Sequence, residues 1–340
     1  MNTVFDNPAT AQPVGNVRDE FRTLVTGCGV YDLASRSKIS VAGKDRVRWL
    51  NSMTSNNIRD LAAGHGVYAF VLNPQGHVLA DLYAYNRGES LLLDTDSGQT
   101  EKLLATLRRY IIMDKVELTE ADDQLTALGI SGPNTEQVLH AAGIEFGDLA
   151  PLQFTDVTWQ QIPLSVVRGD NPAVATFELW HAPEHKTRLE QELMRAGAKA
   201  VSPGALELFR IACGIPRYGQ DIRERDLPQE TEQERALSFT KGCYIGQEIV
   251  ERIRSRGAVH RKFTGFLVDG VLPAAETKIQ SDGKEVGEIT SVASLPLSSG
   301  QQLVALGYIR RQSVQPGKPL EAAGATLSIA DIPFTEVFKN

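Results

Sequence analysis

The sequence has little cysteine, no long apolar run and no surplus of positive charge, and each shortage removes a class of function. Its three cysteines, Cys28, Cys213 and Cys243, stand far apart with no CxxC pair among them. An odd number of scattered thiols does not build a disulfide framework and suits a reducing, cytoplasmic setting. A self-contained zinc or iron–sulfur site made of four cysteines needs closer and more numerous ligands than these. His181 and His185 are spaced like a helical metal pair, but Pro183 lies between them and no HExxH is present. A surface helix start is the expected reading, with no metal. No run approaches the roughly 18 apolar residues of a membrane span. The first twenty residues show neither a basic start with an apolar core nor an Arg/Ser-rich amphipathic pattern, so no membrane, secretory or import signal is expected. A net charge of −7 argues against broad nucleic-acid binding. There is no GxxxxGK[ST], GxGxxG or GxSxG, which sets aside nucleotide hydrolysis and hydride transfer.

What is present is enough chain for several cores: 340 residues at roughly 150 per domain give two or three. Val17–Thr26 reads as an amphipathic helix that buries Phe21, Leu24 and Val25 and stops at Gly27. Strands are predicted over 30–33 and 38–42, and a helix over 45–53 that buries Val47, Trp49 and Leu50. Strands over 67–72 and 78–85 flank Asn73-Pro74-Gln75-Gly76, a tight-turn sequence, and a third strand follows over 90–94. A helix over 99–110 and a strand over 115–119 close this first region. A second mixed region has strands over 124–130 and 175–180 and helices over 133–142, 184–196 and 203–213, the first with proline in its opening turn. From Phe263 the pattern changes to short strands broken by Gly and Pro. The expected fold class is α+β: two mixed α+β domains, 16–120 and 121–262, the second carrying the 241–248 motif and open to interleaving with the first, then a small β-barrel over 263–340. No heptad or exposed apolar stripe points to a dimer, so a monomer is the default expectation.

The stretch Lys241-Gly242-Cys243-Tyr244-Ile245-Gly246-Gln247-Glu248 admits two readings. Cys243 is a half-buried filler in a turn, the usual fate of a lone cysteine. Alternatively, the glycines on either side leave its sulfur approachable, and Lys241, Arg252, Arg254 and Arg256 hold it as a thiolate fit for nucleophilic, redox or soft-metal work. Periodicity does not choose between them.

"KGCYIGQEIVERI", preceded by "LFRIACGIPRYGQDI", resembles the signature region of the YgfZ family, folate-binding relatives of the glycine-cleavage T-protein. The similarity extends to "YAFVLNPQGHVLADLYAY", "ISGPNTEQVL", "EVGEITSVA" and "VALGYIRR", covering roughly residues 21–334. It implies three domains around a central channel for a tetrahydrofolate-type ligand. It also implies an accessory role in iron–sulfur cluster assembly or repair, with iron–sulfur enzymes or assembly proteins as partners. The family's signature cysteine falls on Cys243, with Lys241 beside it as the second candidate for the chemistry. The T-protein's pterin-binding glutamate falls on Glu178 of "TFELW", where a carboxylate suits the paired N–H edge of a pterin. Simple alternation also allows Glu178 to be an exposed strand residue. Arg210 and Tyr218 fall in the related ligand stretch; Arg210 pairs with a ligand carboxylate or braces the domains, and Asp221 is expected to brace its loop. The T-protein's "NAG" pattern before its catalytic aspartate is missing from "LLDTDSGQTEKLL", where Asp96 and Glu101 are the nearby carboxylates. That departure weighs against aminomethyl or other one-carbon transfer, which stands as the alternative. A folate-binding module in which Cys243 is structural is the third.

Overall fold

The computed structural model describes residues 17–257, 259–297, 300–313 and 319–339. The chain opens with α1 (Val17–Thr26), β1 (Gly29–Asp32), β2 (Arg36–Ala42) and α2 (Arg46–Met53). The meander β3 (Gly66–Leu72), β4 (Val78–Asn86), β5 (Leu91–Asp96) leads into α3 (Thr100–Arg108) and β6 (Glu117–Glu120). Next come β7 (Thr126–Ser131), α4 (Thr135–Ala141), the hairpin β8 (Phe154–Trp159) and β9 (Ile162–Arg168), then β10 (Thr176–His181) and α5 (Lys186–Arg195). The short β11 (Lys199–Ala200) precedes α6 (Pro203–Ala212) and α7 (Gln247–Arg256). The last strands are β12 (Arg261–Asp269), β13 (Lys278–Ser281), β14 (Lys284–Leu297), β15 (Gly300–Arg310), β16 (Leu320–Ala322) and β17 (Ala325–Ala330).

These strands form three bodies: a sheet ordered β3-β4-β5-β2-β6, a sheet ordered β11-β1-β7-β10-β9-β8, and a closed barrel β12-β15-β14-β13-β16-β17. Each open sheet is two-faced because its strands alternate. In the first, Ile39, Val41, Ala80, Leu82, Leu91 and Leu93 pack under α2 and α3 through Trp49, Leu50 and Leu103. In the second, Leu128, Ile130, Phe177 and Leu179 pack under α4 and α5 through Leu139, Leu189 and Leu193. The alternate residues turn toward the other sheet, where Tyr85, Leu92, Phe154, Val167 and Trp180 make a shared core.

The expected fold class stands: two mixed α+β bodies and a small barrel. Several details differ from the sequence reading. The hairpin β8–β9 had no strand expectation, and it supplies a full edge of the second sheet. Pro133 lies before the helix, because Asn134 occupies the cap position of α4. The two mixed bodies interleave along the chain. β1 pairs with β7 and β11 in the second sheet, and α1 packs with α6 in the core that adjoins the barrel. Conversely, the 241–248 motif was expected to belong with the second region, yet Tyr244 and Val250 pack on Phe70, Leu72 and Val78 of the first sheet's hairpin. His181 ends β10 at 1 % exposure instead of opening a surface helix.

Candidate functional site: an inter-sheet cavity and a motif anchored apart from it

Between the two sheets lies a cavity of about 350 Å³, lined by strands of both sheets, by α6 and by the loop that follows it. Strand alternation explains its walls. From β4, Asp81, Tyr83 and Tyr85 face away from the helices under which Ala80, Leu82 and Ala84 are buried. From β10, Thr176 and Glu178 face the cavity while Phe177 and Leu179 face the opposite core. Tyr31 enters from β1 because Gly129, its cross-strand neighbour, has no side chain: a Cβ there would stand 2.2 Å from the ring. Most of the polar wall is already bonded. The Tyr68 hydroxyl donates to Asp81 at 2.7 Å, Gln99 donates to the same carboxylate at 2.8 Å, and Tyr31 and Ser131 hydroxyls are 2.7 Å apart. Tyr83 donates to Asp170 at 3.1 Å, and Asp170 pairs with Arg235, which lies 4.4 Å over the Tyr68 ring. The Tyr85 hydroxyl has no hydrogen-bond partner among the described residues.

Glu178 is on this wall with its side chain 25 % exposed, so it is neither a plain surface residue nor a sealed core group. Its Oε2 accepts from the Trp180 indole N–H at 2.8 Å and lies 3.6 Å from the Lys38 ammonium. Oε1 has no partner among the described residues. Behind it, Lys38 and Arg36 of β2 both bond Asp94, at 2.6 and 2.8 Å, with Lys38 and Asp94 each 1 % exposed. Burial pushes the Asp94 carboxyl up, but Arg36 and then Lys38 outweigh it and hold the group below the usual carboxylate range.

Arg210 is brought to the same cavity, but all five of its N–H groups are engaged by protein. Nε and Nη2 meet Glu207 at 3.0 and 2.7 Å, Nη1 donates to the Ile215 carbonyl at 2.6 Å and to Asp221 at 2.7 Å, and Nη2 donates to Ser291 at 2.9 Å. Of the two readings of Arg210, ligand pairing and bracing, this geometry favours the brace: it ties α6 and its loop to the barrel, with each donor engaged among the described residues. Asp221, fully buried, completes the brace by accepting from Arg210, the Arg217 amide at 3.0 Å and Ser291 at 2.7 Å. The Tyr218 ring lines the cavity, while its hydroxyl donates to the Leu79 carbonyl and accepts from Lys102 at 3.1 Å. Only the ring is open to a ligand.

Cys243 and Lys241 are not among the cavity's lining residues. Lys241 donates to three backbone carbonyls at the end of α2: Asn51 at 2.5 Å, Thr54 at 2.6 Å and Asn56 at 2.7 Å. Burial, and then the Arg59 guanidinium, press its pKa down to about 7, whereas three acceptors at bonding distance favour the charged form. With every ammonium proton placed, we read Lys241 as the ammonium. Lys241 thus donates to carbonyls and makes no hydrogen bond to the Cys243 sulfur among the described residues, which favours an anchoring role over that of holding a thiolate. Arg254 stacks 4.4 Å over Phe239 and pairs with Glu251, so it too is engaged elsewhere. The Arg256 side chain lies outside the described residues. Tyr244 is buried, and Gly246 takes a left-handed φ of +83° where a Cβ would stand 2.7 Å from the Asn73 carbonyl. The motif is an anchor that docks α7 on the β3–β4 turn. Cys243 and Glu248 are the residues of it left exposed.

Asp96 lines the cavity and accepts from the Gly98 amide at 2.9 Å, whereas Glu101 is exposed on α3. The residues that sequence reasoning passed over are Arg36, Lys38, Asp94 and Tyr85. The signal for the first three was charge placed inside strands, in "RSKISV" and "LLLDTD", where alternation puts it on one face.

Residues 3–241 match the family described as the GCVT N-terminal domain, and residues 258–334 match the CAF17 C-terminal beta-barrel domain. The chain is similar to an aminomethyltransferase of Thermus thermophilus, 26 % identical over 325 residues, 94 % of this chain and 90 % of that one. It is also similar to a putative chloroplastic transferase of Arabidopsis thaliana, 25 % identical over 314 residues, 91 % of this chain and 71 % of that one. Among solved structures, the glycine cleavage system aminomethyltransferase T of Bartonella henselae shares the fold, with a TM-score of 0.84 at 21 % identity, covering 94 % of this chain and 90 % of the other.

Proposed function

The chain belongs to the GCVT N-terminal domain family, and from that membership we propose that it binds a tetrahydrofolate-type ligand in the inter-sheet cavity and serves iron–sulfur cluster assembly or repair through Cys243. The observation that carries the ligand reading is the Glu178 carboxylate: one oxygen is fixed by Trp180 and Lys38, and the other is free on a wall built of tyrosine rings. Oε1 accepts an N–H of the pterin, and the rings of Tyr31, Tyr83 and Tyr218 offer flat apolar surface to its bicycle. The volume of about 350 Å³ is at the small end for a drug-sized ligand. It suits the ring system better than the whole molecule. When bound, the folate supplies a one-carbon carrier or an electron-rich ring; the chain's own part is to orient that ring and shield it from water.

The CAF17-type barrel supports the cluster-related role over simple carriage, and the exposed thiol gives that role a reactive group outside the cavity. The test is anaerobic titration calorimetry of tetrahydrofolate into the wild type, Glu178→Gln and Cys243→Ser. Binding that weakens in the first variant and persists in the second is the expected result; no binding by the wild type defeats the reading.

Aminomethyl transfer is the second reading, favoured by Asp96 on the cavity wall and by the names of the similar proteins. Transfer of an aminomethyl carbon to tetrahydrofolate, lost in Asp96→Asn, is the result that selects it.

A further inference from the structure

We propose that Lys38 is a positioning residue for ligand recognition: from the first sheet it fixes the Glu178 carboxylate of the second so that Oε1 alone is presented to the cavity. The inference rests on Glu178 being the ligand's carboxylate.

Lys38 sits on β2 directly across from Asp94 on β5, and alternation turns both away from the helix-packed face of their sheet. Its ammonium is 2.6 Å from Asp94, 3.6 Å from Glu178 and 5.1 Å above the Trp180 ring. At 1 % exposure no water competes for it, so it acts where charge is felt most strongly. Asp94 is shared with Arg36, which leaves Lys38 with charge to direct at a second carboxylate. Glu178 lies at that second position and belongs to the other sheet. The Trp180 indole N–H, two residues along the same strand, donates to the same oxygen at 2.8 Å. One hydrogen bond, from Trp180, and one ion pair, with Lys38, converge on Oε2 and set both the rotamer and the rotation of the carboxylate. The consequence is a ligand contact through one oxygen, where the sequence had suggested a paired acceptor for two parallel N–H groups. The arrangement also couples ligand recognition to the seam between the sheets: any change that parts β2 from β10 leaves Glu178 held by Trp180 alone.

The test combines a ligand-free and a ligand-bound readout on the full chain. The indole N–H resonance of Trp180, identified by its loss in Trp180→Phe, is followed in Lys38→Met and Glu178→Gln. Both variants are expected to move it in the same direction, since each loosens the same oxygen. For tetrahydrofolate, Lys38→Met is expected to weaken binding about ten-fold or more, but less than about two-fold when made in Glu178→Gln, because its effect passes through that carboxylate. Lys38→Arg restores most of the affinity. Should Lys38→Met fail to fold, Lys38→Met/Asp94→Asn removes both charges of the buried pair together and is measured in its place. An unmoved Trp180 resonance, or the same loss of affinity in both backgrounds, overturns the inference. If the wild type binds no tetrahydrofolate, the proposed function falls, and the indole resonance still decides whether Lys38 sets Glu178.

Discussion

Replacing Lys241 by methionine separates two views of the motif. The side chain length is kept, but the three carbonyls of Asn51, Thr54 and Asn56 lose their shared donor. A hydrogen bond to a charged group contributes about 1.5–3 kcal/mol. Lys241 is only half-buried, so water replaces part of what is lost. A net cost of about 2–4 kcal/mol follows, below the roughly 5–9 kcal/mol of three such bonds summed. For 340 residues unfolding as one unit, an unfolding entropy near 2.1 cal/mol/K per residue gives about 0.7 kcal/mol/K. The expected fall in Tm is therefore about 3–6 °C, measured by scanning calorimetry at neutral pH. In the same variant, well below its Tm, alkylation of Cys243 by iodoacetamide is expected to change by less than about three-fold, because the ammonium points to carbonyls and not to sulfur. An unchanged Tm with a large loss of thiol reactivity would refute the anchor and restore Lys241 as the thiol's partner.

Four further outcomes are expected. Native protein gives one thiol to a bulky disulfide reagent and denatured protein gives three, because Cys28 and Cys213 are buried and burial lifts their pKa to about 11 and about 12, while Cys243 is exposed; early reaction of a second thiol would contradict this. Burial pushes Glu288 up, but Lys278 and Arg223 hold it down to about 2, so its contribution is present above its unfolded value near 4.5 and is lost as pH falls from there toward 2. Since Lys278 and Arg225 are about half exposed, we expect about 1–2 kcal/mol, seen as a shallower acid limb in urea melts of Glu288→Gln than of the wild type; parallel limbs would remove the effect. Gly129→Ala drives a Cβ into the Tyr31 ring, costing about 1–3 kcal/mol by denaturant titration and displacing the ring from the cavity; a neutral effect would mean the ring moves freely. Glu178→Gln weakens tetrahydrofolate binding by about 1–3 kcal/mol, or roughly 5- to 150-fold, and unchanged calorimetry would take it out of the site.

Local pattern carried much of the fold. Phe21, Leu24 and Val25 predicted α1 to the residue, and Asn73-Pro74-Gln75-Gly76 predicted the β3–β4 turn. The β8–β9 hairpin escaped because its turn residues, Gln160 and Gln161, adopt positive φ without being glycine, so no turn signal marked it. The helix α7 escaped for the opposite reason: Gly246 was read as freedom around a thiol, whereas it is the helix's left-handed start. For the candidate site, residue type was legible and engagement was not. A sequence shows that Arg210 has five donors; it does not show that Glu207, Ile215, Asp221 and Ser291 occupy them. The role of Lys38 was invisible because its two carboxylates come from different strands, one of them in the other sheet.

The placement of β1 has a consequence for how the protein is made. β2 to β6 are contiguous in the chain, so the first sheet can close on the ribosome before β7 exists. β1 emerges earlier than all of them yet must wait, with Val30 unpaired, until Ile130 is synthesised. The motif at 241–250 then returns to a hairpin completed long before and clamps it. Order of synthesis and order of closure thus differ: a nascent chain stalled between 120 and 175 would carry a finished first sheet with an unclamped hairpin and an open seam, the state in which a chaperone or a protease would meet it.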